Sequence, residues 1–440
     1  MLFNNRFDYM ATPRALAKLE KTNVFVDSLR QRDDVKAVTW KEVAFEEHLG
    51  NGRFCSLFHV KVSKFKRRGS KSRSRRDCSS TSSADDATRS PSKSRRYALK
   101  CLDINMRPKE FVFAAMDLLY EAGILASIDH ENIVRLRGIS TENLAESYRD
   151  TNNMGFFFLY DLISESLRDR FAAWEPAKQE EMHLSRGGIF RRSRKASSMS
   201  PVSSYHGRKS IHNVAQVPSL EHRLQDVALG IAKGLVCLHK QNIVLRALNP
   251  ETGLGFDSKT GKIKLCDLGL ARPVEDVHDM IPTSMSPFYK APEYFKRTGC
   301  ELSADVYSFG MVLYELVTLS HPFEKYQKLD RTAFENDVIL DGQRPSFDFG
   351  VSPALKSLIR SCWDNVARHR PTMVSIVSHL EDIIACTKSN EFSRSQTMGN
   401  VRRTKSIEGP TRLKLKPSHS VSMHDKRTAG KKYQVVVLKR

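Results

Sequence analysis

Lys264-Leu265-Cys266-Asp267-Leu268-Gly269-Leu270-Ala271 is the most telling stretch of this 440-residue chain: a short apolar strand delivers an aspartate, and a glycine follows two residues on. Just upstream stands Leu245-Arg246-Ala247-Leu248-Asn249-Pro250-Glu251-Thr252, and strand pairs are expected across 243–267. Downstream come Ala291-Pro292-Glu293, then Ser303-Ala304-Asp305-Val306-Tyr307-Ser308-Phe309-Gly310, then Ser361-Cys362-Trp363 and Arg370-Pro371-Thr372. From Leu220 to about Ile384 the text is otherwise helix-rich. Far upstream, Leu49-Gly50-Asn51-Gly52-Arg53-Phe54-Cys55-Ser56-Leu57 reads as a glycine-rich strand, turn and strand within Val38–Val62. Glycines at 50 and 52 let backbone amides approach phosphate oxygens with no Cβ in the way. A strand carrying Ala98-Leu99-Lys100 follows, then a helix near Glu110–Ile128 that carries Glu121. The runs Ile133–Leu136 and Phe156–Leu159 are strand-like.

In this order and spacing the segments resemble the protein kinase superfamily, and within it the tyrosine-kinase-like group of Ser/Thr kinase homologues, over roughly 41–386. The resemblance implies an α+β fold of two lobes, the first β-rich and the second helical. It implies ATP as ligand, bounded by Gly50, Gly52, Leu57 and Ala98, with Leu159 as the gatekeeper behind the adenine. Lys100 would ground the phosphates with Glu121 as its ion-pair partner, and Asp267 would hold Mg²⁺. Glu293 and Arg370 would pair to tie the activation segment to the second lobe, and Asp305 would anchor the catalytic-loop backbone. Cys55 stands where the family's third glycine lies. Pro250-Glu251 and Ser286 lean toward Ser/Thr ancestry.

The catalytic loop departs from the family's H-R-D-L-x-x-x-N. Leu245 replaces the histidine, Ala247 the aspartate that accepts the substrate proton, and Asn249 the lysine that steadies the γ-phosphate. The asparagine for the second metal ion is Thr252, or Gly253 in a register shifted by one residue. A general base alone contributes about 10²–10⁴ in rate. Losing base, lysine and metal ligand together points to a pseudokinase, an ATP-binding scaffold or allosteric regulator. An active Ser/Thr kinase with a non-standard loop is the alternative. Leu125, Leu136, Leu245 and Leu268 are expected to form the family's apolar stack between the lobes.

The same resemblance makes Arg246 the partner of an activation-segment phosphate, with Thr283 and Ser284 as the sites. Arg194 before Ser197, Arg394 before Thr397 and Arg403 before Ser406 match the substrates of basophilic kinases. The expected partners are proteins, an active kinase among them.

The net charge of +21 is confined to three segments: 61–96 carries +10, 178–218 carries +6 and 387–440 carries +11, so the remainder is −6. That removes most of the case for a basic groove on the folded body, and contact with nucleic acid or an anionic membrane would fall to these segments. Their Ser/Arg composition predicts disorder. The expected organisation is an extension 1–36 with an amphipathic helix around Arg14 to Leu29, a kinase-like domain 37–386 interrupted by the inserts 61–96 and 178–218, and a basic tail 387–440. Eight cysteines, none in a C-x-x-C pair, read as reduced thiols. With no signal peptide and no long apolar run, the expected location is cytoplasmic or nuclear.

Overall fold

The computed structural model describes residues 13–52, 55–63, 94–103, 108–144, 155–174, 217–276, 286–296, 301–326, 331–347 and 350–403. It divides into a unit ending at Lys388 and a second beginning at Ser389. The bodies of both basic inserts, the tail beyond Arg403, Thr283 and Ser284 lie outside the described residues.

The N-terminal half is built on a six-stranded sheet. Its strands are β1 (Lys36–Val38), β2 (Val43–Asn51), β3 (Cys55–Val62), β4 (Arg95–Leu102), β5 (Leu136–Ser140) and β6 (Phe157–Tyr160), in the order β1-β5-β6-β4-β3-β2. Only β1 on β5 is parallel. Alternation along β4 sends Ala98 and Leu102 into the main core, and Tyr97, Leu99 and Cys101 into a smaller cluster on the opposite face. Helix α1 (Pro13–Arg30) and helix α2 (Pro108–Ser127) lie on the main-core side. In α2, Phe111, Ala114, Ala115, Leu118, Ala122 and Leu125 recur at helical spacing and are buried. Pro108 opens the helix, a position where its missing N–H is harmless.

The second lobe is helical, with a three-stranded sheet β10-β9-β7 at its upper edge, made of Ile163–Ser166 (β7), Leu254–Asp257 (β9) and Ile263–Leu265 (β10). A two-residue pair joins β8 (Ile243–Val244) to β11 (Arg272–Pro273). The helices that position the site are α3 (167–174), α4 (220–239, with a π-helical stretch Arg223–Ala228), α5 (Pro292–Lys296), α6 (Leu302–Thr318), α7 (Pro353–Cys362) and α8 (Met373–Arg403). Helix α6 is buried along nearly its whole length and forms the lobe's axis. It stops at Leu319, whose left-handed backbone (φ 52°) returns its N–H to the Glu315 carbonyl at 2.8 Å. The two-lobed α+β architecture is thus the one the sequence implies.

Three boundaries differ from expectation. The described part of the extension, from Pro13, packs into the first unit: Val26, Leu29 and Val35 lie in the same core cluster as α2. The strand expected at Ile133–Leu136 begins only at Leu136; Ile133 makes a single bridge to Leu265 instead. The last helix continues to Arg403, past the expected start of the tail at 387, since 385–403 contains no proline and only one glycine, Gly399, to interrupt it. Among the described residues no helix is long and apolar enough to cross a membrane.

Candidate nucleotide site and catalytic loop

Register places the nucleotide-facing residues on one side of the sheet. Leu57 pairs with Lys100, and Ala98 with Tyr160, so Leu57, Ala98, Lys100 and Tyr160 share the face toward α2. Near the end of β2, opposite Leu57, Gly50 has φ 148°, open to glycine alone, and the Gly52 N–H bonds the Cys55 carbonyl at 2.7 Å. A Cβ on Gly50 would meet nothing within 4 Å, so the glycine serves backbone geometry rather than a crowded contact.

Lys100 Nζ donates to Glu121 Oε2 at 2.6 Å. Burial opposes the ammonium, but Glu121, with Asp267 adding to it, outweighs burial and holds Lys100 firmly charged. The Glu121 carboxyl is raised by burial and, to a lesser degree, by the Asp267 carboxylate, against the counter-pull of Lys100. Cys55 is pushed up to about 11 and Cys266 to about 12 by burial, so both are inert thiols at neutral pH. Asp267 Oδ1 accepts the Gly269 N–H at 3.2 Å. A second clamp was not legible in the sequence. Arg272 pairs with Asp117 of α2 at 2.5 Å, lies 4.6 Å from the Tyr120 ring centre, and donates to the Gly269 and Ala271 carbonyls.

Leu159 requires correction. It is fully buried, but in the cluster with Val38, Leu99 and Cys101 on the opposite face of the sheet. Strand alternation gives the nucleotide face to Phe158 and Tyr160 instead. The Tyr160 hydroxyl is buried with no hydrogen-bond partner among the described residues, and burial, then Glu121, raises its pKa. An orphaned phenol beside the Lys100–Glu121 pair fits a site that takes a polar ligand. The donor set for metal is thinner: Asp267 stands there, and no group of three or more His, Cys, Asp or Glu forms a metal cluster among the described residues.

The 245–253 loop is held from below by Asp305, whose carboxylate accepts the Leu245 N–H at 2.7 Å, the Arg246 N–H at 2.9 Å and a contact from His239 Nε2 at 3.0 Å. Arg246 is buried and its Nε donates to the Leu270 carbonyl at 2.7 Å. Leu245 and Leu268 are fully buried with Leu125 and Leu136 in the one main cluster.

Most positions at which this loop departs from the family pattern are turned inward. Ala247 is fully buried. Asn249 points into its own loop: Oδ1 accepts the Glu251 and Thr252 N–H groups at 2.9 Å, and Nδ2 donates to the Ala247 carbonyl at 2.8 Å. A lysine there could not make these bonds. A Cβ on Gly253 would lie 2.4 Å from the Ala247 carbonyl oxygen, so no side chain fits at that position. Thr252 is exposed, with Oγ1 3.2 Å from Asn249 Nδ2. The one acid of the loop, Glu251, is engaged by Arg168 at 3.2 Å.

Two ion-pair systems fix the surrounding segments. Arg370 pairs with Glu293 through two bonds, at 2.6 and 2.9 Å, and donates to the Ser303 carbonyl. Arg168 of α3 joins Glu315 of α6 at 2.5 Å and the Tyr289 hydroxyl at 2.6 Å, and Tyr289 closes the triangle to Glu315 at 2.8 Å.

A sequence profile of the protein tyrosine and serine/threonine kinases matches residues 43–380. The chain belongs to that family. Among curated kinases it is 34% identical over 164 residues to the serine/threonine-protein kinase VIK of Arabidopsis thaliana, covering 36% of each chain. It is 32% identical over 164 residues to the dual specificity protein kinase shkC of Dictyostelium discoideum, covering 36% of this chain and 31% of that one. It is also 36% identical over 115 residues to a probable inactive serine/threonine-protein kinase, roco10, of the same organism, covering 26% and 4%. The chain therefore spans about a third or less of the length of these relatives.

Proposed function

We propose that this kinase-family chain binds ATP and acts as a scaffold or allosteric regulator of protein partners, an active kinase among them, with its basic inserts and tail as substrates of basophilic kinases. One observation carries the reading: Asn249 closes the loop on itself between Ala247 and Gly253, with no carboxylate at 247 and no ammonium at 249. Phosphoryl transfer depends on positioning and charge neutralisation, and three of the groups that supply them are gone. The Lys100–Glu121 pair at 2.6 Å and the glycines of the β2–β3 turn support nucleotide binding. With Asp267 as the single expected Mg²⁺ ligand, metal would bind weakly or at one site. A location in the cytosol or nucleus accords with a regulator whose substrates and partners are signalling proteins.

The second reading, an active Ser/Thr kinase, is favoured by the same ion pair together with the filled stack of Leu125, Leu136, Leu245 and Leu268. Phosphotransfer by purified chain decides between them, alongside Lys100→Met and Asp267→Ala. The regulator reading expects ATP to raise the melting temperature of the wild-type chain and not of Lys100→Met, with no phosphate transferred by any of the three. Transfer that vanishes in both variants would establish the enzyme instead.

A further inference from the structure

Helix α1 and strand β1 precede the family-matched region, which begins at residue 43. Yet they are fastened to the element that carries Glu121 at several points. Val26 and Leu29 are buried in the cluster that contains Leu118, Leu119 and Ala122 of α2. Phe25 lies over Gly123, two residues beyond Glu121: a Cβ on Gly123 would stand 3.1 Å from Phe25 Cζ. The glycine thus lets the aromatic ring come close to the α2 backbone. At the other end, Arg30 donates to the Ser140 carbonyl at 2.9 and 3.1 Å and to the Glu142 carbonyl at 2.5 Å. Strand β1 then pairs in parallel with β5 over Lys36–Val38 and Gly138–Ser140. Segment 13–38 is therefore a strap, tied to the sheet edge on one side and pressed on α2 on the other.

We propose that this strap sets the position of α2, with Phe25 on Gly123 as the positioning contact, and so holds Glu121 against Lys100 in the posture that receives phosphate. Arg272 also grips α2, through Asp117 and Tyr120, at positions other than the one Phe25 touches. With both contacts in place, α2 is held by groups internal to this chain. The inference rests on the nucleotide-binding reading above, and its test separates the two.

The full-length chain is compared with Phe25→Ala and Phe25→Leu by calorimetric titration with ATP and, separately, with adenosine. Phe25 is partly exposed, so its truncation leaves the fold standing. Adenosine makes no use of the Lys100–Glu121 pair. The expected result is about a tenfold loss of ATP affinity in Phe25→Ala, adenosine affinity unchanged, and partial recovery in Phe25→Leu. Hydrogen exchange of the amides of 115–127 in the nucleotide-free proteins is expected to quicken in Phe25→Ala. Equal ATP affinity in wild type and Phe25→Ala, or a parallel loss of ATP and adenosine, overturns the strap. If the wild-type chain binds no ATP, the nucleotide reading fails, and the exchange rates alone then decide: unchanged protection of α2 overturns the strap as well.

Discussion

The Asp305 carboxylate accepts the backbone N–H of Arg246 at 2.9 Å and so secures a residue whose φ of 62° lies in the left-handed region. A non-glycine residue held there costs on the order of 1–3 kcal/mol, and it persists only where its surroundings over-determine it. Here Asp305 also takes the Leu245 N–H, and the Arg246 guanidinium is tied to the Leu270 carbonyl. The strained backbone at Arg246 is thus held by bonds from three sides, whatever side chain stands at 247.

Replacing Asp305 with Ala should accordingly be among the most damaging single changes outside the apolar core. Three donors converge on this buried carboxylate, and removing it leaves the two backbone amides without an acceptor. The expected loss is about 3–5 kcal/mol in denaturant unfolding. A loss below about 1 kcal/mol would mean that the loop is held by other means.

Restoring the catalytic acid should not restore the reaction. Ala247 is fully buried, so Ala247→Asp places a carboxylate out of water, at a cost of roughly 2–4 kcal/mol. The wider restoration fares worse, because Asn249→Lys removes the bonds that close the turn and Gly253→Asn drives a Cβ into the Ala247 carbonyl. Assays of γ-phosphate transfer are expected to stay at background for each variant. Turnover appearing with Ala247→Asp alone would show that the closed loop opens readily.

The polar pairs of this fold were legible through the resemblance to the kinase family, in which motif order says which residues meet. Lys100 with Glu121, Glu293 with Arg370, and Asp305 beneath the loop all stand where motif order put them. Other features were not legible, for two physical reasons. In Phe156-Phe157-Phe158-Leu159-Tyr160 both faces of the strand are buried, so no polar alternation marks which residue faces the nucleotide, and Leu159 was assigned the place that Tyr160 takes. Arg168 with Glu315 and Arg272 with Asp117 join residues 147 and 155 positions apart, and nothing local in the sequence announces such a partner.

Tyr160 and Leu159 should separate cleanly in experiment. Tyr160→Phe removes a buried hydroxyl that has no partner among the described residues, so the nucleotide-free chain is expected to gain about 1 kcal/mol. Leu159→Ala opens a cavity on the far face of the sheet and should cost about 2–4 kcal/mol while leaving ATP affinity unchanged. Thermal melts with and without ATP read both effects. An ATP affinity that falls with Leu159→Ala and not with changes at Tyr160 would return the gatekeeper position to Leu159.

The segment before α5 carries a pH dependence. His321 packs against the rings of Phe288 and Tyr289, and its Nδ1 accepts the Phe323 N–H at 3.2 Å. Burial, with Arg168 adding to it, lowers its pKa from 6.5 to about 4. Between those values the unfolded chain binds the proton and the folded chain does not, so acid favours unfolding. The contribution is complete above pH 6.5 and is lost progressively as the pH falls toward 4. It amounts to roughly 2–3 kcal/mol over that window. His321→Asn keeps an acceptor near the Phe323 N–H but cannot titrate. Its melting temperature is expected to fall less steeply than that of the wild type across this range, and identical slopes would mean that His321 is protonated as readily in the folded chain as in the unfolded one.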